Sequence, residues 1–488
     1  MMRHAPMAVA ARGWATEDTV AMPITGQEPL LVRPAPSTDP LDALVAEIHA
    51  GSGGQFVDGL QLAALLEAQG VTDHTARVQY GFRDVFELAA EARTRLAELG
   101  HEAPRRPARP RRRGQAVREL LHGALYLLPS VLFPAVLAIA RPHPPVPAIV
   151  AAGLLGWVWA GGMTWMAYQY LNAGEERAAG RFLALAAAVG VGVAGLIGAG
   201  SAATGAGAIA ALLVPAAVAY QLASTVLLFF GDEAWLVALM VPAVLAGGAF
   251  LLDHRMAPAA AIVPALVCVA VTFGVALSRA LHVPGERTRA PLRTVMRGRW
   301  ARLALVVAYT GLLAALVLQA QVPYLVHHFD ILVTALPLVV SMGFVEWRAR
   351  RFDERSRDML HDPWGPRRFR RRLWGRLGAD VAACWLVAAA AAGLLLAALR
   401  QAGSLTPSVA TMAAANVVLA GACFLVFVLA GHGGYGRLCL VLAVALGAYS
   451  VAPGPFAGTT AFLGTVTLLS ALLAVALTPS LGTVRHYR

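Results

Sequence analysis

Long apolar segments constrain this chain more than any other feature of its sequence. Between residues 120 and 477, roughly a dozen stretches of about twenty residues contain almost no charged side chains. A hydrocarbon core of about 30 Å requires about 20 apolar residues in an α-helix, because each residue advances the helix by about 1.5 Å. The composition agrees, with 58% hydrophobic and 14% charged residues. The sequence therefore predicts an all-α, polytopic membrane protein.

The apolar segments and the charges between them place the individual spans. We expect about twelve transmembrane helices, at residues 120–140, 146–171, 182–199, 208–230, 235–252, 259–277, 303–322, 331–345, 381–399, 409–429, 438–451 and 462–477. A charged connection at 281–302 divides them into predicted six-helix lobes at 119–280 and 303–488. An even division of this kind is typical of transporters built from two repeated lobes around a central cavity.

The arginines predict the orientation in the membrane. All 40 basic residues are arginine, and all of them except Arg141, Arg255 and Arg400 fall on one side of the predicted spans. The loops 279–302 and 346–378 alone carry seven and eleven of them. Positively charged loops remain on the cytoplasmic side. We therefore expect a multi-pass protein of the inner (cytoplasmic) membrane with both termini in the cytoplasm.

A polar region precedes the spans. Residues 1–38 are rich in Pro, Ala and Thr without periodicity, which predicts a disordered tail. Residues 39–103 predict a small cytoplasmic helical module, with eleven Asp or Glu against four Arg. An acidic surface repels phosphates, so we expect no nucleic-acid binding. Residues 104–118 form a basic juxtamembrane linker, for which we expect contact with anionic lipids.

Residues able to act in catalysis or to bind a metal ion are sparse in the membrane region. An enzyme working there needs clustered acids, histidines or metal ligands. His327, His328 and Asp330 are close in sequence, but two adjacent histidines cannot share one helical face. The four cysteines lie in apolar spans without ligand-like spacing. We therefore expect no enzymatic activity, no cofactor and no metal site.

Neutral polar and aromatic side chains occur inside the predicted spans. They are unfavourable in lipid, so they face another helix or a wet cavity. As a set they suit a hydroxyl-rich solute such as a glycan, because aromatic faces stack on sugar C–H groups and amides bond to hydroxyls. Each of them can instead serve only to hold helices together. The candidates for a substrate cavity are Trp165, Gln169, Tyr220, Gln221, Tyr309, Gln319 and Asn416.

Three segments carry a resemblance to a known superfamily. YQYLNAGEERAAGRFLALAAAVGVGVAG (residues 168–195) and AYQLASTVLLFFGDEAWL (219–236) resemble the second-to-third and fourth helices of the multidrug/oligosaccharidyl-lipid/polysaccharide (MOP) flippase superfamily. HFDILVTALPLVVSMGFVEWRARRFDERSRDML (328–360) is similar to the eighth span of the Pel-type exopolysaccharide exporter. The resemblance extends over about residues 120–480.

This resemblance implies a twelve-helix, V-shaped transporter with two lobes that exports polysaccharide or lipid-linked glycan by alternating access. Two departures from the superfamily stand out: no arginine lies deep in a span, and residues 120–140 contain no acidic residue. A drug or small-metabolite transporter is the alternative. A further one is a non-transporting membrane scaffold whose amino-terminal module recruits a cytoplasmic glycosyltransferase.

Overall fold

A computed structural model provides the structure of the chain. It describes residues 39–52, 59–102, 123, 125, 133–139, 146–253, 255–284, 295–325, 328–359, 366–451 and 458–481. The predicted tail 1–38, the basic linker 104–118, His327 and most of the predicted span 120–140 lie outside these residues. The limits predicted for the tail, linker and lobes therefore remain predictions.

The described part of the amino-terminal module contains four helices. These are α1 (Pro40–Ser52), α2 (Gly59–Ala68), α3 (Asp73–Tyr80) and α4 (Val85–Glu102). Asp39 caps α1 by accepting a hydrogen bond from the Leu41 backbone N–H at 2.9 Å. Thr72 caps α3 in the same way, with the Thr75 N–H as donor, and Gly81 ends that helix at a φ of 77°. The module has its own hydrophobic core, in which Leu62, Leu66 and Leu88 are fully buried.

The membrane region is built from helices alone in the part of the chain that the structure describes. They are α5 (Phe133–Ile139), α6 (Val146–Asn172), α7 (Glu176–Ser201), α8 (Ala208–Phe230), α9 (Glu233–Leu252), α10 (Pro258–Leu281), α11 (Trp300–Gln321), α12 (Phe329–Leu332), α13 (Leu336–Asp358), α14 (Pro366–Gln401), α15 (Pro407–Gly431), α16 (Tyr435–Val451) and α17 (Gly458–Leu481).

Ten helical segments among the described residues are long and apolar enough to cross a membrane, and α12 with α13 counts as one of them. The apolar helix α16 is shorter, and α5 falls within the predicted first span. The prediction of an all-α, polytopic membrane protein is confirmed.

The predicted basic loop 346–378 is largely helical. Helix α13 continues to Asp358, and α14 begins at Pro366, well before the predicted span. The physical reason is a buried stripe of Phe369, Leu373 and Leu377 at every fourth residue, which gives the arginine-rich sequence an apolar helical face. The prediction of a loop relied on the density of charge in residues 346–378. The spacing of the apolar residues between the arginines supports a helix instead.

Small residues allow close packing of the helices that precede α11. Helix α7 packs against α6, α8 and α10, and α6 also packs against α11. A Cβ atom at Gly180 would overlap the backbone oxygen of Ala280, so α7 can approach α10 this closely only with glycine there. In lipid, helix association depends on such van der Waals contact, since apolar helices gain nothing by leaving an apolar solvent.

Candidate functional site

A cavity of about 290 Å³ lies among α5, α6, α8 and α10. Helix α5 contributes one residue, and α6, α8 and α10 each contribute residues that recur three or four positions apart, on one helical face. The lining is aliphatic apart from two side chains of α8. Its residues are Val136, Ala148, Ile149, Ala152, Gly153, Leu213, Val214, Ala216, Ala217, Tyr220, Gln221, Ile262, Ala265, Leu266 and Val269. We call this space the α6–α8 cavity.

The two polar side chains of the α6–α8 cavity differ in what they offer a ligand. The Tyr220 hydroxyl donates a hydrogen bond to the Leu125 backbone oxygen at 2.7 Å. The Gln221 Oε1 atom is buried and has no hydrogen-bond partner in the described part of the chain. An unpaired buried carbonyl oxygen costs about 1–3 kcal/mol unless a donor reaches it. Gln221 is therefore the polar lining residue whose amide oxygen is left without a partner among the described residues.

Glycine makes room for the Gln221 amide. A Cβ atom at Gly156 of α6 would overlap Gln221 Oε1, whereas a Cβ at Gly153 would lie 3.4 Å from the Leu318 side chain, an ordinary contact. The hydroxyls of Ser224 and Thr225, one turn further along α8, both donate to the Gln221 backbone oxygen. Those two hydroxyl hydrogens are thus used within the helix.

Three of the predicted site residues lie in a second cluster, where α6, α11 and α16 meet. The Tyr309 and Tyr435 rings are nearly parallel, with centroids 6.0 Å apart, and the Trp165 side chain lies near the Tyr435 hydroxyl. Gln169 accepts a hydrogen bond from Arg299 at 2.9 Å. This aromatic cluster joins spans that precede and follow the charged connection, and Tyr435 is a member that the sequence did not identify.

The remaining two candidates hold helices together. Gln319 is exposed and its amide donates to the Ser450 hydroxyl at 3.2 Å, linking α11 to α16. Asn416 is buried and donates to the backbone oxygen of Thr334 at 3.0 Å. Of the seven predicted residues, only Tyr220 and Gln221 thus line the α6–α8 cavity. The prediction that several of the seven line a substrate cleft between two lobes stays a prediction.

A buried ion pair was not identified from the sequence, which placed Asp380 only at a span end. The Arg348 Nη2 atom of α13 lies 2.6 Å from the Asp380 Oδ1 atom of α14. Asp380 is 1% exposed, and the Arg348 guanidinium lies 5.7 Å from the ring centroids of Phe344 and Trp347. Residues 32 positions apart give no local signal of pairing. Within the described residues, no group of three or more His, Cys, Asp or Glu is placed to hold a metal ion.

Comparison with known proteins gives similarity to solved transporter structures only. No protein-family model and no curated protein matches the chain. An outward-facing multidrug resistance MATE family transporter of the MOP superfamily aligns with a TM-score of 0.49 and 12% identity over 75% of this chain and 94% of that one. A MATE structure in complex with MaL6 gives the same values. A MOP superfamily transporter from Pyrococcus furiosus aligns with a TM-score of 0.43, 12% identity, and 75% and 93% coverage.

Proposed function

We propose that this chain is a membrane transporter that moves an amphipathic molecule across the bilayer, with the apolar part of that molecule held in the α6–α8 cavity. The observation that carries this proposal is the lining of that cavity. It is aliphatic on α5, α6 and α10, and it includes Gln221, whose buried amide oxygen has no hydrogen-bond partner among the described residues. A pocket with apolar walls and few polar groups is typical of small-molecule sites.

The lining discriminates among the cargoes expected from the sequence. A free polysaccharide carries many hydroxyls, and each one that loses water needs a new partner. The Gln221 oxygen supplies one acceptor, so the cavity does not suit a glycan chain. A lipid-linked glycan fits better, since its lipid part can occupy the aliphatic cavity while its sugars stay in water or contact the aromatic cluster.

We therefore propose a lipid-linked glycan as the principal cargo. A drug-like or small amphipathic metabolite is the second candidate, favoured by the size of the cavity, which is near the lower limit for small-molecule pockets of about 300 Å³. A non-transporting scaffold has no need of such a cavity. The localisation in the inner membrane with cytoplasmic termini is part of the same proposal.

Transport by the full chain in proteoliposomes tests this proposal. Three fluorescent cargoes are compared: a lipid-linked oligosaccharide, an apolar cationic dye and the free oligosaccharide. We expect transport of the first, and none of the free oligosaccharide. Transport of the dye alone would favour the drug-transporter alternative, and no transport of any cargo would favour the scaffold.

A matched pair of variants links transport to the cavity. Ala265 lines the cavity and is 5% exposed, whereas Val267 on the same helix is 57% exposed. Ala265→Phe fills cavity space and is expected to reduce transport at least tenfold, at a cost in stability of about 1–3 kcal/mol. Val267→Phe points away from the cavity and is expected to leave transport unchanged. Equal transport by both variants would contradict the assignment of the cavity as the cargo site.

A further inference from the structure

The first turns of α14 carry an array of arginines on a continuous helix. This helix runs for 36 residues from Pro366 to Gln401. Its first fourteen residues, PRRFRRRLWGRLGA, include six arginines and no acidic residue. The arginines are Arg367, Arg368, Arg370, Arg371, Arg372 and Arg376. All but Arg376 are classed as exposed.

The buried side of α14 fixes the direction in which these arginines point. Phe369, Leu373 and Leu377 are 6%, 0% and 3% exposed and recur at every fourth residue. Arg367, Arg368 and Arg371 stand at positions i, i+1 and i+4, which places them together on the opposite side of the helix. The array is therefore presented outward from a helix whose other side is held by apolar packing.

The length of α14 places the array near the membrane surface. Residues 381–399 carry no charge and span about 29 Å at 1.5 Å per residue, which matches the hydrocarbon thickness. Arg371 lies ten residues before that segment, or about 15 Å along the helix. The headgroup layer takes up about 5–7 Å of this distance, and the remainder is within about one Debye length at physiological salt.

A tryptophan between Arg371 and the span supports this depth. Trp374 is partly exposed and lies seven residues before the uncharged segment. Tryptophan is enriched where the chain crosses the membrane–water interface, because its ring is apolar and its N–H is polar. Arg371 and Trp374 are one turn apart, so Arg367, Arg368 and Arg371 all lie on the aqueous side of Trp374.

We propose that Arg367, Arg368 and Arg371 bind the phosphate groups of anionic phospholipids in the leaflet at this end of α14. Guanidinium groups form bidentate hydrogen bonds to phosphate, and adjacent ones can share a doubly charged headgroup. These arginines include no residue of the α6–α8 cavity or of the linker 104–118, and the proposal does not depend on the proposed transport function. Because a soluble phosphate compound offers the same chemistry, the test includes one.

Lipid binding to the full chain tests the proposal. Protein in neutral detergent is titrated with phosphatidylglycerol or with phosphatidylcholine, and bound lipids are counted by native mass spectrometry. The variant R367Q/R368Q/R371Q is expected to weaken phosphatidylglycerol binding by up to about a hundredfold, or about 2.8 kcal/mol at 1.4 kcal/mol per tenfold. Phosphatidylcholine binding is expected to stay the same.

Two further variants separate a bound headgroup from general attraction and from misfolding. R77Q/R83Q/R93Q removes the same charge from exposed positions of the amino-terminal module and is expected to have no effect. R367K/R368K/R371K keeps the charge but loses the bidentate geometry, and we expect it to retain partial binding. Circular dichroism and size-exclusion chromatography confirm folding of each variant.

Three outcomes would overturn the proposal. The first is unchanged phosphatidylglycerol binding in R367Q/R368Q/R371Q. The second is an equal loss in R77Q/R83Q/R93Q, because the effect would then follow net charge alone. The third is a competition result in which millimolar inorganic diphosphate binds the wild-type array and fully displaces the lipid, which would make a soluble phosphate the ligand.

Discussion

At the scale of single residues, the α6–α8 cavity depends on a glycine. Gly156 leaves space that the Gln221 amide occupies, and Gln221 Oε1 has no partner among the described residues. The atom that a new methyl group would meet is the end of a flexible side chain and not backbone. The Gln221 amide can therefore rotate away from the added methyl group at little cost in stability. Its oxygen then no longer occupies its present position.

Gly156→Ala is expected to change cargo transport more than stability. The added methyl displaces the Gln221 amide, while alanine adds helix propensity of about 0.5–1 kcal/mol. We expect at least a fivefold loss of proteoliposome transport and a thermal midpoint within about 2 °C of wild type. Gly192→Ala is the control, because Gly192 on α7 does not line the cavity and a Cβ atom there would meet no atom within 4 Å. Equal transport by both variants would show that the Gln221 position is unimportant.

The Arg348–Asp380 ion pair is a second feature at this scale. Its carboxylate is almost fully buried, and its guanidinium is 18% exposed. Such a pair stabilises little relative to apolar residues, but removal of Arg348 takes an ion-pair contact away from a buried carboxylate. The pair therefore matters most when it is broken.

Arg348→Met is expected to lower the free energy of unfolding by about 3–5 kcal/mol. The double variant R348M/D380N is expected to recover most of that loss, since it removes both charges. As a control, Arg357→Met breaks an exposed i,i+4 pair with Asp353 and is expected to cost about 0.5 kcal/mol or less. Unfolding in mixed detergent micelles, followed by circular dichroism, measures all three. A double variant no more stable than Arg348→Met would refute this account of the pair.

At the scale of elements, α1 to α4 form a helical unit with its own core and its own charge network. Arg95 of α4 bonds to both Asp39 and Asp42 at the start of α1, each at 2.6 Å. The hydrogen bond from Arg95, with further help from the Leu41 N–H, holds the pKa of the Asp39 carboxyl below its usual value. The hydrogen bonds to Asp39 and Asp42 raise the pKa of the Arg95 guanidinium. This network joins the first and last helices of the module.

Residues 39–103 expressed alone are expected to fold as a helical unit that loses stability in acid. A carboxyl with a lowered folded pKa contributes stability above its unfolded pKa of about 3.9, and the contribution is lost as pH falls through the folded pKa. Arg95→Gln is expected to lower the urea midpoint of unfolding at pH 7. It is also expected to make that midpoint decrease less as the pH is lowered from about 5 to about 2. Arg93→Gln, an exposed neighbour, serves as the control and is expected to follow wild type. An unfolded fragment, or identical pH profiles, would contradict this prediction.

At the scale of the whole molecule, the arginine distribution predicts one orientation for every span. Asp358, at the end of α13, is exposed and lies on the predicted cytoplasmic side. Leu405, between α14 and α15, is 40% exposed and lies on the predicted outer side. Three of the four native cysteines are buried, so we expect them to react little with a maleimide. A cysteine-free background removes the remaining reaction of the native cysteines.

Asp358→Cys and Leu405→Cys, each in the cysteine-free background, test that orientation in intact cells. A membrane-impermeant maleimide is expected to label Leu405→Cys and to leave Asp358→Cys unlabelled until the membrane is permeabilised. The physical reason is the arginine excess on the cytoplasmic side. Labelling of Asp358→Cys in intact cells would invert the topology.

The sequence by itself determined that this is an all-α membrane protein with an acidic helical module. The length and the composition of an apolar segment can be read from consecutive residues, without knowledge of the tertiary structure. The sequence-based prediction missed the helical form of residues 366–378, although Phe369, Leu373 and Leu377 carry the signal. The tertiary structure alone decided which polar groups meet. Gln221 and Gln319 are the same residue type in similar spans, yet Gln221 lines a cavity and Gln319 is exposed beside Ser450. The rotation of a helix about its axis depends on contacts with residues far away in the chain, and these contacts leave no mark on the local sequence.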